Sequence, residues 1–212
     1  MRKWLLLVSL LHFGFLLIAS TGNIKLQDHK IPAGVTLQDA NQALYKQIKQ
    51  INEKINPQLI MEAGKPKKLY GREVTINIEH IVNLNPEINS DRTVTLKGGH
   101  MYKVLAAFKS QEFIANSVVT KHLDNNCHAF AGYDVITGNQ FYKTTFPQGW
   151  KPEDVYTAIS SSSQISEKKV DGKLIINATV AHNNNPKFTI RTVSYPRPGS
   201  KIYEMVTAFP EL

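Results

Sequence analysis

The chain has 212 residues, a formal charge of +8 and an isoelectric point near 9.5. Hydrophobic residues make up 42% and charged residues 20%, which excludes a disordered chain and fits one domain of ordinary size with a small appendage. The basic excess favours polyanions (nucleic acid, anionic lipid, polysaccharide) without choosing among them, and the single cysteine, Cys127, excludes an internal disulfide.

The N-terminus has the pattern of a secretory signal peptide over residues 1–20. Arg2 and Lys3 precede the apolar run WLLLVSLLHFGFLLIA, and Ser20-Thr21-Gly22-Asn23 follows with small residues. Ser9, His12 and Gly14 interrupt the run, which falls short of the roughly 20 apolar residues of a membrane span. Cleavage is expected near Ala19 or Ser20, giving a secreted or periplasmic product with no stable membrane insertion. Loss of Arg2 and Lys3 lowers the formal charge by two.

Residues 21–70 read as a helical N-terminal segment. Within TLQDANQALYKQIKQINEKI, Leu37, Ala40, Leu44, Ile48, Ile51 and Ile55 recur at steps of three and four, the period of an amphipathic helix. Thr36 and Asp39 form a capping-box pattern, Asn56-Pro57 is expected to end the helix, and Ala63 to Lys68 reads as a basic linker. A domain boundary is placed near residue 70.

Residues 71–212 form the main domain. Val74 to Ile78 alternates as a strand. HMYKVLAAFKSQEF fits a helix with Val104, Ala107 and Phe108 on one side, although a strand is not excluded. Asp134 to Asn139 reads as a hairpin turn into a strand at Gln140 to Thr145. Pro152-Glu153-Asp154 opens a helix, with Pro near its first position and acids in its first turn. Ser160 to Ser163 reads as a loop. Strands are expected at Lys173 to Val180, Lys187 to Ser194 and Ile202 to Phe209, with a turn at Pro196 to Gly199. The class is α+β, preceded by an N-terminal helix.

Two histidines frame the candidate chemistry: His80 in Glu79-His80-Ile81 and His100 in Gly98-Gly99-His100. Cutting RNA without a metal needs a base for the 2′-hydroxyl, an acid for the leaving 5′-oxygen and a cation for the phosphate. Histidine serves the first two because its ordinary pKa, about 6.5, lies near working pH. Lysine serves the third. The nucleophile belongs to the substrate, which agrees with a sequence lacking GxSxG, HExxH and Walker patterns. His122, Cys127 and His128 offer a competing cluster, either as a substitute histidine for the pair or, with His100, as a metal site; their spacings suit zinc poorly.

Several blocks resemble the EndoU endoribonuclease family. Glu79-His80-Ile81 and Gly98-Gly99-His100 are similar to its paired-histidine signature. FYKTTFPQGW followed by PEDVYTAI resembles the lysine block and helix of bacterial EndoU toxin domains. VTAFP resembles the family's closing TAYP strand, which has a counterpart in the coronavirus uridylate-specific endoribonuclease. The resemblance covers about residues 74–212 and not the N-terminal helix. It implies antiparallel sheets with packed helices, as in RNase toxins. It makes His80 and His100 the acid–base pair, with the two roles left open, and Lys143, 43 residues after His100, the phosphate-stabilising cation. Thr145 (or Thr144), Thr207 and Phe209 would line the base and ribose side. Phe209 stands where the family has tyrosine. No cofactor is implied, although some members depend on metal, so manganese dependence stays open and Glu79 becomes an orienter of His80 or a metal contact. The activity implied is a secreted RNA endonuclease leaving 2′,3′-cyclic phosphate ends, with uridine as the preferred base, acting as a toxin with a neutralising (immunity) protein as partner. The alternative is a catalytically inactive RNA- or polyanion-binding module of the same fold.

Overall fold

The computed structural model describes residues 36–88, 94–109, 115–122, 127–134, 140–182 and 187–211. The signal-peptide reading lies outside them, as does most of the turn expected at Asp134 to Asn139.

Helix α1 (Leu37–Ile51) opens as its sequence dictates, with Thr36 Oγ1 accepting from the Asp39 N–H at 3.0 Å. It ends at Ile51, short of the expected Ile55: Asn52 is extended, its side chain binds Leu84, and the Asn83 side chain binds Glu53 just beyond the helix. Asn56-Pro57 does not stop this helix but starts the next, α2 (Pro57–Ala63), with Asn56 as cap and proline in the first turn. The expected linker, Ala63 to Lys68, overlaps the end of α2 and the start of strand β1 (Lys67–Leu69), which pairs antiparallel with β2 (Arg72–Ile76). A division at residue 70 therefore falls inside a hairpin, and Leu59, Ala63 and Leu69 belong to the same core as the residues after it.

The chain then forms α3 (Ile78–Val82), the ribbon β3 (Leu84–Ile88) and β4 (Val94–Gly98), α4 (Tyr102–Lys109), and the strands β5 (Ala115–His122), β6 (His128–Asp134) and β7 (Gln140–Thr145). Next come α5 (Pro152–Ser161), β8 (Ser163–Val170), β9 (Lys173–Val180), β10 (Phe188–Pro196) and β11 (Tyr203–Pro210). A six-stranded sheet has the order β1-β2-β11-β10-β9-β8, and β5-β6-β7 make a separate three-stranded sheet. Among the described residues every strand pairing is antiparallel except β2 with β11. The class is thus α+β with sheets rich in antiparallel pairs.

The serine run is not a loop. Ser160 and Ser161 complete α5, the Ser162 hydroxyl turns back to Ile159 O at 2.7 Å, and Ser163 begins β8. Strand β8 escapes hydropathy because its residues are exposed on both faces, so only pairing with β9 defines it. Strand β9, and β10 from Phe188 to Ser194, alternate strictly between buried and half-buried residues. Their inner residues Leu174, Ile176, Ala178, Phe188 and Ile190 share a core with Val155, Ala158 and Ile159 of α5. Phe146 and Trp150 stack at 5.7 Å within it.

Candidate active site

The site is built where α3, the end of β4, the end of β7 and the middle of β11 converge. His80 does not extend a strand, as the alternation through Ile78 suggests. β2 stops at Ile76 because Asn77 caps α3: its Oδ1 accepts from the His80 N–H at 3.1 Å, and its own N–H donates to Met205 O of β11 at 2.9 Å. Ile78, Ile81 and Val82 bury the inner face of this short helix, leaving Glu79 exposed and His80 half-buried.

His100 follows two glycines in left-handed conformation, Gly98 at φ 65° and Gly99 at φ 74°. Both are sterically required. A Cβ on Gly98 would lie 1.9 Å from the His80 carbonyl oxygen, and one on Gly99 would lie 2.3 Å from Leu84 Cδ1. The turn delivers His100 so that its N–H donates to Ile81 O at 3.1 Å and its carbonyl accepts from the Phe146 N–H at 2.8 Å. One residue thereby ties α3 to the end of β7.

The His100 ring is held on three sides. Nδ1 donates to the Thr144 carbonyl at 2.8 Å. Because a carbonyl only accepts, this bond fixes the proton on Nδ1 and leaves Nε2 with its lone pair. The Thr207 hydroxyl lies 3.5 Å from Nε2, and the Phe209 ring stacks on the imidazole at 5.2 Å between centroids. Burial, then the Lys143 charge, pushes the His100 pKa down to about 3, against the opposing pull of the Thr144 carbonyl, so the ring is neutral at ordinary pH.

Lys143 is buried on β7, and its Nζ donates to the Gly98 carbonyl. Desolvation brings its pKa down to about 7. His80 is also shifted below its ordinary value, by burial first and then by the charges of Lys97 and Lys143. The backbone joins His80, His100 and Lys143 into one neighbourhood: Lys143 binds the Gly98 carbonyl, Gly98 lies against the His80 carbonyl, and the His100 N–H binds Ile81 O. Lys97 is a member the sequence reading missed; an alternating strand running into Gly-Gly-His was its only signal.

The other expected site residues divide by exposure. Thr207 and Phe209 are half-buried and border the His100 ring. Thr145 is 0% exposed, and its hydroxyl and that of Thr144 have no hydrogen-bond partner among the described residues. The competing cluster does not assemble around a metal: among the described residues no three His, Cys, Asp or Glu side chains are grouped to hold an ion. Burial pushes the Cys127 thiol up to about 12, opposing thiolate chemistry. His128 lies opposite Thr145 on the neighbouring strand and packs against Tyr102 at 4.8 Å. A shallow cleft of roughly 220 Å³ beside α3 is lined by Asn77, Glu79, Arg197 and Glu204 among others, and contains neither histidine of the pair nor Lys143.

No family model matches the chain, and no curated protein or solved structure is significantly similar to it.

Proposed function

We propose that this chain is an endoribonuclease of the EndoU type that cleaves RNA by transphosphorylation. The observation that carries the reading is the state of His100: its proton is fixed on Nδ1 by the Thr144 carbonyl, its Nε2 keeps a lone pair 3.5 Å from the Thr207 hydroxyl, and its ring feels the charges of Lys143 and His80. With Nδ1 committed to the Thr144 carbonyl, Nε2 is the ring nitrogen left to accept a proton, so the base role goes to His100 and the acid role to His80. Nε2 removes the proton of the 2′-hydroxyl, the 2′-oxygen forms its bond to phosphorus, and the bond from phosphorus to the 5′-oxygen breaks. His80 delivers a proton to the departing 5′-oxygen. The products are a 2′,3′-cyclic phosphate and a free 5′-hydroxyl.

Lys143 stabilises the charge on the phosphorane. An RNA phosphate beside His80 favours the charged imidazolium, opposing the push of Lys97 and Lys143 and readying the acid. Thr207 and Phe209 border the ribose and base side. Thr145, fully buried, contributes through packing. Phe209 carries no phenolic hydroxyl, so base preference, uridine in the family, rests on stacking and Thr207. The leader-like N-terminus favours an exported toxin or effector with a neutralising protein as partner. A second reading, an RNA-binding module without cleavage, is favoured by the stack of Phe209 over His100, which covers one face of the base.

The test is incubation of residues 21–212 with labelled mixed-sequence RNA, in EDTA and then with manganese, beside the same RNA carrying 2′-deoxyuridine at each uridine position. Cleavage leaving cyclic phosphate ends, abolished at the deoxy positions, is expected. Cleavage that continues at deoxy positions refutes 2′-hydroxyl attack. Binding without cleavage in either buffer selects the second reading.

A further inference from the structure

The N-terminal helix, which lies outside the resemblance, is joined to the site by a reciprocal clasp of two asparagines. The Asn52 amide takes both backbone groups of Leu84: the Leu84 N–H donates to Oδ1 at 2.9 Å, and Nδ2 donates to Leu84 O at 3.1 Å. The Asn83 amide takes both backbone groups of Glu53: the Glu53 N–H donates to Oδ1 at 2.8 Å, and Nδ2 donates to Glu53 O at 3.3 Å. Each side chain thus mimics a strand partner for the other segment. An ion pair from Lys103 to Glu53 at 3.5 Å adds a link to α4.

The clasped residues stand next to the site. Asn83 closes α3, its N–H donating to Glu79 O at 2.9 Å. Leu84 opens β3 directly opposite Gly98, the residue whose carbonyl receives Lys143. Gly98 also sits against the carbonyls of His80 and Asn83, where a Cβ would come within 1.9 and 2.4 Å of the two oxygens. Leu84 further packs under Gly99, the residue before His100. A shift of residues 83–84 therefore moves the backbone that holds all three groups.

We propose that Asn52 and Asn83 are positioning residues, and that docking of α1 through them sets the relative placement of His80, His100 and Lys143. The proposal rests on the reading of these three groups as an RNA-cleaving site. It makes the N-terminal helix a support of the site and not a cover over it: whatever draws α1 away loosens the catalytic geometry without touching a catalytic side chain. Displacements of about 1 Å at a reacting centre lower turnover by about 100-fold.

The test compares Asn52→Ala, Asn83→Ala and the double variant with Thr36→Ala, which removes the cap at the far end of α1 and leaves the clasp intact. Two readouts are taken on each folded protein: RNA cleavage, and the titration of the His80 and His100 rings by NMR. In the clasp variants kcat is expected to fall about 10- to 100-fold with KM nearly unchanged. The His80 titration should shift, and the double variant should be no worse than the weaker single one, since the two amides act as one clasp. Thr36→Ala should leave both readouts as in the parent. Should an alanine variant fail to fold, Asn83→Asp keeps the acceptor for the Glu53 N–H, loses the donor to Glu53 O, and should shift in the same direction by less. Wild-type titration of both rings in folded clasp variants overturns the proposal, as does an equal loss in Thr36→Ala. A shifted titration in the clasp variants of a parent chain that cuts no RNA leaves the positioning in place and removes only the RNase reading.

Discussion

Strands β9 and β7 are built on opposite plans. Along β9 every second residue is buried, and each buried residue from Leu174 to Val180 is apolar. From Lys143 at the end of β7 through Pro147, five consecutive residues are buried, and the first three are Lys, Thr and Thr. Alternation lets a strand satisfy its polar face with water. Continuous burial of polar residues removes that option, leaving an ammonium shifted toward neutrality and two threonine hydroxyls without partners among the described residues. The difference teaches where the fold is optimised for stability and where it is not: the six-stranded sheet supplies the free energy, and the end of β7 draws on it to hold a buried cation against His100.

Perturbing the two regions should therefore have separable effects. The largest is expected for His100→Ala, which removes the proposed base and should lower kcat/KM for RNA about 1000-fold, with the fold retained by circular dichroism. Ile176→Ala, in the middle of β9, should cost about 2–5 kcal/mol in a denaturant titration while leaving activity per folded molecule unchanged. Loss of activity beyond the unfolded fraction would break the division between the regions. Lys143→Met should do the reverse, lowering cleavage while stabilising the protein by roughly 1–3 kcal/mol near neutral pH. The sign follows from linkage. The folded-state pKa of Lys143, about 7, lies below its unfolded value, so the unfolded chain holds the extra proton between them. Parent stability then climbs as pH rises from about 7 toward 10.5, and that climb should vanish in Lys143→Met.

The smallest effect concerns the pH profile of kcat/KM. Activity should rise as His100 loses its proton near pH 3 and fall as His80 is deprotonated below its ordinary 6.5, giving an optimum on the acid side of neutrality. Lys97→Gln removes one of the charges pushing His80 down, so the alkaline limb should move to higher pH. A profile unmoved by Lys97→Gln would separate His80 from that limb.

Much of the fold was legible in the residues. The steps of α1, the acids at the start of α5 and the alternation of β9 are local signals, and local signals place elements well. The strand β8 was not legible, because a strand exposed on both faces carries no hydrophobic period. The turn from β2 into α3 was also missed: Ile76, Asn77 and Ile78 continue the alternation of Val74, and only the Asn77 cap redirects the chain. His80, His100 and Lys143 were identifiable by residue type and order. The environment that tunes them was not. Burial of Lys143 depends on the covering turn at Gly98, and the proton on Nδ1 of His100 depends on a carbonyl 44 residues away. The clasp of Asn52 and Asn83 was hidden for the same reason, since two loop asparagines carry no pattern that reports a partner about 30 residues distant.

The sheet order has a consequence for biosynthesis. Strand β11 is the last of the described strands to be translated, yet it occupies an interior place between β2 and β10. Until it emerges from the ribosome, β2 and β10 both present open edges, and the groups that border the His100 ring, Thr207 and Phe209, are missing. A nascent chain thus carries His80, His100 and Lys143 without the surface that frames them. Such long-range pairing is slow to form, so maturation of the site is deferred to a late folding step. Under the proposed RNA-cleaving role, that delay would separate the protein's manufacture from the onset of its activity.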